Sequence, residues 1–440
     1  MIFGPAQIIN DSMMYQIAAQ RLVHTGVYEF NNLPTIEVVR GASAYVMPGY
    51  TLFLSLFYLF VDLSADVTKN TQTALTAIIA VQFALAVLTA VCISISAFFL
   101  AGKRASVLAG LIASAYIPIG INAMYVGLEA FALFLTSLAV LLLCGFMSNR
   151  HSRYAFLWAA AFGACFGLLV LTRSTLIFWI IIPLVLIAIQ GRQDPKKTIV
   201  STALIIGAFC LIMSPWIARN AFVYNSFVPL SSAMNDPLLV STGSRSFSPE
   251  EQLLADEAVA DGRDPFTVVA FYRLSERWNE SPVEFLKWRA QPAITSVLNP
   301  TNMPLVVDVS YHQWRQQDNF YEVQGGLTVP PARGYSLLDS DFSNMMNSYM
   351  LTAHRILLIM FLLGSILSLV VRNSQQLMLA SIPIYLTLIH FLILSDIRYL
   401  YYNVPSYIII ASAGIVFLCT KITELTRSLK GKYSDQLGAE

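Results

Sequence analysis

The chain has 440 residues, of which 56% are apolar and only 12% charged, against about 25% charged in an ordinary soluble domain. With a mean hydropathy of +0.62, that composition excludes a disordered chain and argues against a cytosolic enzyme. The formal net charge is +1, and no basic patch points to nucleic acid as a partner.

The first segment, 1–73, is neither uniformly apolar nor charge-rich. Asp11 opens a helical pattern in which Met14, Ile17, Ala18 and Leu22 share one face, so this helix is expected to lie on the membrane. Asp11 stands where an N-cap would; read functionally, it is a carboxylate held at the surface as a general base. The apolar run 51–63 follows Pro48 and Gly49 and is closed by Asp62 and Asp66. At about 13 residues it is too short to span comfortably, and it reads as an interfacial helix, with a short true span as the alternative.

Longer apolar runs follow at 74–100, 105–122, 126–147, 155–172, 174–190 and 198–217, then at 351–371, 376–394 and 404–421. Between the two sets lies 218–350, which carries 9 of the 27 Lys and Arg and 15 of the 26 Asp and Glu. The expected fold is an all-α polytopic transmembrane bundle of about nine to ten spans, with interfacial helices and one large, α-rich extracytoplasmic loop. The expected organisation is a first external loop (1–73), membrane helices (74–217), the large loop (218–350), C-terminal membrane helices (351–421) and a cytoplasmic tail (422–440). In the loop, a charge-rich helical stretch covers about 249–289, and Trp278, Trp288 and Trp314 are available to anchor a small core or to sit at the headgroups. All five cysteines fall inside apolar runs without CxxC spacing, which reads as helix packing and not as a disulfide or metal framework.

Cations in the short loops set the expected orientation. Lys103, Arg104, Arg150, Arg153, Arg192, Lys196, Lys197, Arg372 and the tail's Lys421, Arg427, Lys430 and Lys432 all fall on one side, which marks the cytoplasm. The segment 1–73 and the large loop then lie outside, in a multi-pass protein of the cell membrane.

Ionisable residues at membrane depth are costly and mark candidate sites. Glu129 is the only acid inside any of the longer, spanning runs, near the start of 126–147. Arg173 joins 155–172 to 174–190, Arg219 follows 198–217, and Arg398 precedes 404–421. On this topology all four gather at the outer interface, although any one Arg also fits plain snorkelling.

These residues resemble a known family. Asp11 with Tyr15 four residues on, then an Ala-containing helix ending in His24-Thr25-Gly26-Val27-Tyr28, looks like the first external loop of the GT-C membrane glycosyltransferases. The likeness is to the branch of the protein O-mannosyltransferases and aminoarabinose transferases. Met47-Pro48-Gly49-Tyr50 before an apolar run, Glu129, Leu171-Thr172-Arg173, Pro215-Trp216 with Arg219-Asn220, and Arg398-Tyr399 follow in the family's order. The resemblance covers most of the membrane part and not the interior of the large loop. There are two departures. The family usually has a spanning helix before this first loop, and often Asp-Glu where this chain has Asp11-Ser12.

The resemblance implies a sugar donor on a polyprenyl phosphate and a glycan, lipid or protein acceptor at the outer face of the bilayer. Asp11 would deprotonate the acceptor hydroxyl, and Glu129 would orient the sugar or the base. Arg173, Arg219 and Arg398 would hold the phosphate, whose geometry a guanidinium matches bidentately. Tyr15 and Tyr399 would support their neighbours. Metal use stays open: Asp11 and Glu129 could share a divalent cation, but no His pair with ligand spacing accompanies them. Two other classes compete. A flippase or transporter of polyprenyl-linked sugars would place ionisable groups at mid-membrane, among repeats or broken helices. A polymerase of the O-antigen type would keep its key arginines in the large loop and dispense with Asp11.

Overall fold

The computed structural model describes residues 7–8, 10–28, 46–60, 67–225, 227–231, 236–243, 246–261, 263–298, 322–323, 327–328, 340–393 and 400–437. A two-residue strand β1 (Gln7–Ile8) leads into helix α1 (Asn10–Thr25), and a short apolar helix α2 (Gly49–Tyr58) follows. Helix α3 (Val67–Ala115), the single turn α4 (Pro118–Ile121) and strand β2 (Tyr125–Val126) precede α5 (Leu128–Ser148) and α6 (Ala155–Thr172). A 3-10 segment (Ser174–Ile180) runs into α7 (Ile181–Gln190), and α8 (Pro195–Tyr224) completes the first half. The large loop contributes α9 (Asp236–Ser241), α10 (Pro249–Ala260), α11 (Pro265–Glu280), α12 (Pro282–Leu298) and the paired strands β3 (Glu322–Val323) and β4 (Leu327–Thr328). Helices α13 (Ser340–Val370) and α14 (Ser374–Leu392), a 3-10 turn (Tyr401–Asn403) and α15 (Val404–Leu437) close the chain.

This is an all-α polytopic membrane fold. Among the described residues seven helices are long and apolar enough to cross a membrane, and Val87, Leu111, Leu211 and Ile366 on them are exposed, as side chains facing lipid would be. The first of these, α3, is not one rod. Gly102 has φ 80°, a conformation glycine adopts without strain. Ser94 Oγ donates to the Ser106 carbonyl at 2.9 Å, residues that a continuous helix would hold roughly 18 Å apart. The runs 74–100 and 105–122 are therefore two arms of a helical hairpin folded at Gly102. The second arm stops at Ala115, ahead of Pro118.

Hydrogen bonds tie one end of the bundle together. Ser148 Oγ donates to the Phe99 carbonyl (3.3 Å), Arg150 donates to Gln190 Oε1 (3.2 Å) and to the Gln190 carbonyl (2.8 Å), and Gln190 Nε2 donates to Ser374 Oγ (2.7 Å). This is the end that carries Lys103, Arg104, Arg150, Arg153 and Arg192. Helix α5 runs from it for 21 residues, about 31 Å, so Glu129 at its start and Arg173 at the end of α6 lie at the opposite end.

Two short helices depart from or refine the sequence expectation. Helix α1 does not lie on a surface by one face, because Tyr15, Gln16, Ile17, Ala18, Ala19 and Gln20 are all buried in succession. Its polar side is covered by α2, where the Tyr58 hydroxyl donates to Gln16 Oε1 at 3.4 Å. Helix α2, 10 residues and about 15 Å long, is too short to span. It buries Tyr50, Leu54 and Tyr58 and exposes Leu52, Leu56 and Leu59, an embedded helix with its outer side free to meet lipid.

Helices α9 to α12 realise the charge-rich helical stretch. Their small core is Leu239, Ala255, Val269 and Ala270, not the tryptophans. Trp314 lies outside the described residues. All five cysteines are free. His354 joins the loop to the bundle: its Nε2 meets the Val297 carbonyl at the end of α12 and its Nδ1 the Tyr116 hydroxyl, both at 2.9 Å.

Candidate active site

The site end is organised by the pairing of β1 with β2. The strands are parallel, with Gln7 level with Tyr125 and Ile8 level with Val126. Each runs straight into a helix, and each helix carries an acid in its first turn. Asp11 is the second residue of α1 and Glu129 the second of α5. The register therefore brings together two helix N-termini, whose exposed N–H groups and dipoles favour negative charge. Helix α1 begins at Asn10, so Asp11 lies inside the first turn and not ahead of it; its side chain lies outside the described part of the structure.

Glu129 is 5% exposed. Its carboxylate folds back over Gly127, where a Cβ would come within 2.7 Å of Oε2. Tyr50 and Tyr401 are within its electrostatic reach. Tyr50 is fixed from two sides. Its hydroxyl donates to Gln82 Oε1 at 2.8 Å, and its ring meets Tyr15 edge-on with centroids 5.3 Å apart. Gln82 in turn donates to the carbonyls of Tyr125 (2.7 Å) and Ala123 (3.3 Å). One amide in the middle of an apolar run thus holds the strand before Glu129 and the tyrosine beside it. Asn122 closes the same wall, accepting from the Tyr125 hydroxyl at 2.6 Å and hydrogen-bonding with Tyr401.

Arg173 leaves the end of α6 in an extended conformation, φ −145° and ψ 99°. Its guanidinium carbon lies 5.8 Å from the centroid of the Tyr402 ring. Tyr401 and Tyr402 share one 3-10 turn, so that turn reaches Glu129 with one side chain and Arg173 with the next. The start of α2 packs directly on the end of α6. A Cβ on Gly49 would overlap Thr172 Oγ1 and come within 2.8 Å of the Leu171 carbonyl carbon and oxygen. This close approach is the physical content of the Pro48-Gly49-Tyr50 motif.

Arg219 makes protein contacts of its own. It donates to Asn220 Oδ1 and to the Tyr28 carbonyl, both at 2.9 Å, and lies over the rings of Tyr28 (5.5 Å) and Trp216 (5.2 Å). Burial pushes the Tyr28 phenol well above its ordinary pKa. It stays protonated and donates to the Val46 carbonyl at 3.1 Å. Arg219 thereby pins the segment after α1 to α8.

Of the residues singled out in the sequence, Tyr15, Glu129 and Arg173 come to one end of the bundle, and the register of β1 with β2 brings the start of α1, which carries Asp11, to that same end. Arg219 attaches through Tyr28. Arg398 and Tyr399 lie outside the described residues. Gln82, Asn122, Tyr401 and Tyr402 were not anticipated, and Tyr50 figured only as part of the Met47-Pro48-Gly49-Tyr50 segment, with no place in the site. A polar Gln82 inside an apolar run was the available signal. Two carboxylates without His or Cys would suit a hard divalent cation and not zinc; among the described residues no three potential ligands come together.

No protein-family model matches the sequence, and no curated protein matches it. Solved structures do match. Over 97% of its length the chain superposes on the oligosaccharyltransferase of Archaeoglobus fulgidus in the apo form, with a TM-score of 0.51 and 15% sequence identity. The chain shares the fold of that oligosaccharyltransferase over the part it covers. It spans only 48% of that archaeal protein. ArnT from Cupriavidus metallidurans in the apo state aligns over 94% of the chain and 74% of its own length, at 13% identity and a TM-score of 0.33, too low to carry weight.

Proposed function

We propose that the chain is a membrane glycosyltransferase. It moves a sugar from a polyprenyl-phosphate donor to a hydroxyl of a glycan, lipid or protein acceptor, at the extracytoplasmic face of the plasma membrane. The observation that carries this reading is the parallel register of β1 and β2, which sets the first turns of α1 and α5 side by side with an acid in each. The cation-bearing loops at the far end of the bundle support the orientation.

In this mechanism the acceptor oxygen attacks the anomeric carbon and passes its proton to the Asp11 carboxylate. The bond from that carbon to the phosphate oxygen breaks, and the lipid phosphate leaves as an anion. Such a leaving group needs little protonation, so the demand is for a base on one side and cations on the other. Glu129, fixed between Tyr50 and Tyr401, orients the sugar or the base. Arg173, over the Tyr402 ring, and Arg398, three residues before Tyr401 in the sequence, take the phosphate charge. Arg219 adds its charge while holding Tyr28 to α8. Tyr15 stands one turn after Asp11 and backs Tyr50, and Tyr399, next to Arg398 in the sequence, has a supporting role. Loss of one cation should cost about 2–4 kcal/mol of transition-state stabilisation.

The test is transfer by purified protein in proteoliposomes, assayed with a panel of polyprenyl-phosphate sugars. Asp11→Asn is expected to insert and bind donor but not to transfer. Turnover near the unmodified level by Asp11→Asn would overturn the assignment.

A further inference from the structure

The large loop holds three arginines close together, and their treatment differs. Arg273 is fully matched: it meets Glu251 through two nitrogens at 2.6 and 2.9 Å and donates to the Ser246 carbonyl at 2.8 Å. Arg277, one turn further along α11, and Arg289 on α12 have no carboxylate partner among the described residues. Both guanidinium carbons lie over the ring of Trp288, at 4.2 and 4.4 Å from its centroid.

Arg289 is the unusual member. It is only 6% exposed, one nitrogen donates to Ser241 Oγ at 3.1 Å, and Nη2 is buried with no hydrogen-bond partner among the described residues. A buried guanidinium beside a second cation, with an N–H left over, is costly unless something negative completes it. Burial, with Arg277 adding to it, pulls its pKa down to about 10, so it remains charged at neutral pH. Arg277 is half-buried, which leaves the pair open on one side. From that side an aromatic run leads outward: Trp288 to Phe285 (5.9 Å between centroids), and Phe285 to Trp278 (5.5 Å), which is 46% exposed. Guanidinium pairs match oxyanions bidentately, and flat aromatic faces bury the apolar side of a ring while leaving its polar edge wet.

We propose that Arg277 and Arg289 form an oxyanion site for an acidic saccharide, a sugar phosphate or a uronic acid, whose ring rests on Phe285 and Trp278, beyond the Trp288 ring that the two guanidiniums cover. Helix α12 ends on the bundle at Val297, held by His354, so the site stands about 12 Å along that helix from the membrane helices. If the chain is a glycosyltransferase, the site selects the acceptor by its negative charge. Binding itself does not depend on that reading.

The experiment is calorimetric titration of the full-length protein in detergent with glucose 6-phosphate, glucuronate, methyl phosphate and glucose. Both sugar anions are expected to bind at one competitive site, methyl phosphate at least fivefold more weakly, and glucose not at all. Arg277→Gln should weaken the sugar anions at least tenfold, while Arg173→Gln, at the bundle site, leaves them unchanged. Trp278→Ala should remove the preference over methyl phosphate. Arg277 is partly exposed, so its loss keeps the test valid even where Arg289→Gln fails to fold. No saturable anion binding, or binding lost in Arg173→Gln and kept in Arg277→Gln, overturns the site. Methyl phosphate binding as tightly as glucose 6-phosphate overturns the saccharide assignment.

Discussion

Gly49→Ala is the smallest change that should disturb the site from a distance. The added methyl would overlap Thr172 Oγ1 and sit 2.8 Å from the Leu171 carbonyl carbon and oxygen. Thr172 could rotate away, but Leu171 presents backbone. To restore ordinary contact at 3.4 Å, α2 must move off α6 by about 0.6 Å in a close-packed interior. Overpacking of this kind costs about 1–3 kcal/mol. The shift falls on Tyr50, the next residue, and on Arg173, two residues beyond Leu171, so both walls of the site move. Misplacement by about 1 Å can cost a hundredfold in rate; a loss of roughly ten- to a hundredfold in transfer is expected here. The comparison is Gly207→Ala in α8, where a Cβ meets nothing within 4 Å. That change should be neutral or stabilise by up to about 1 kcal/mol through helix propensity. Thermal unfolding and transfer rates of the two variants, measured in the same detergent, decide the matter. Gly49→Ala behaving like Gly207→Ala would refute the packing argument.

Three further outcomes follow from the contacts. Gln82→Leu leaves the Ala123 and Tyr125 carbonyls and the Tyr50 hydroxyl without their buried partner. It should lower stability by about 2–4 kcal/mol, seen as a lower unfolding midpoint together with reduced transfer. Arg219→Lys keeps the charge but loses the planar fork that spans Asn220 and the Tyr28 carbonyl, so limited proteolysis should cut faster just after Tyr28, with α8 intact. The Arg273 guanidinium hydrogen-bonded to Glu251 pulls that carboxyl down to about 2, below an unfolded value of about 4.3. Its stabilisation is therefore present above about pH 4.3 and is lost as pH falls toward 2. Glu251→Gln should flatten the acid sensitivity of α10 and α11, read by proteolysis between pH 5 and 2.5, and destabilise them at pH 7.

The membrane character, the helix-rich large loop and the placement of Glu129 and Arg173 at one end of the bundle were legible because a charge stands out against an apolar background and its cost is easy to argue. The break between the runs 74–100 and 105–122 was legible from Lys103 and Arg104; that one glycine, Gly102, makes the turn within α3 was not. The burial of α1 was hidden as well. Gln16 and Gln20 look like a solvent face until Tyr58, more than thirty residues away, is seen to cover them. The walls of the site escaped in the same way: Tyr50, Tyr401 and Tyr402 are ordinary apolar residues in sequence, and only the fold brings them to a carboxylate and a guanidinium. The pairing of β1 with β2, on which the placement of Asp11 rests, joins residues more than a hundred positions apart and has no local signature.

The central claim is one direct displacement at the anomeric carbon, driven from the end of the bundle that holds Asp11, Glu129 and Arg173. The measurement that tests it most directly is the anomeric configuration of the sugar before and after reaction with the purified protein, read by NMR on an isotopically labelled polyprenyl-phosphate donor. A single attack by the acceptor predicts a sugar released from its lipid with inverted configuration. A sugar transferred with retention, or a donor carried across the membrane with its glycosidic bond intact, would contradict it.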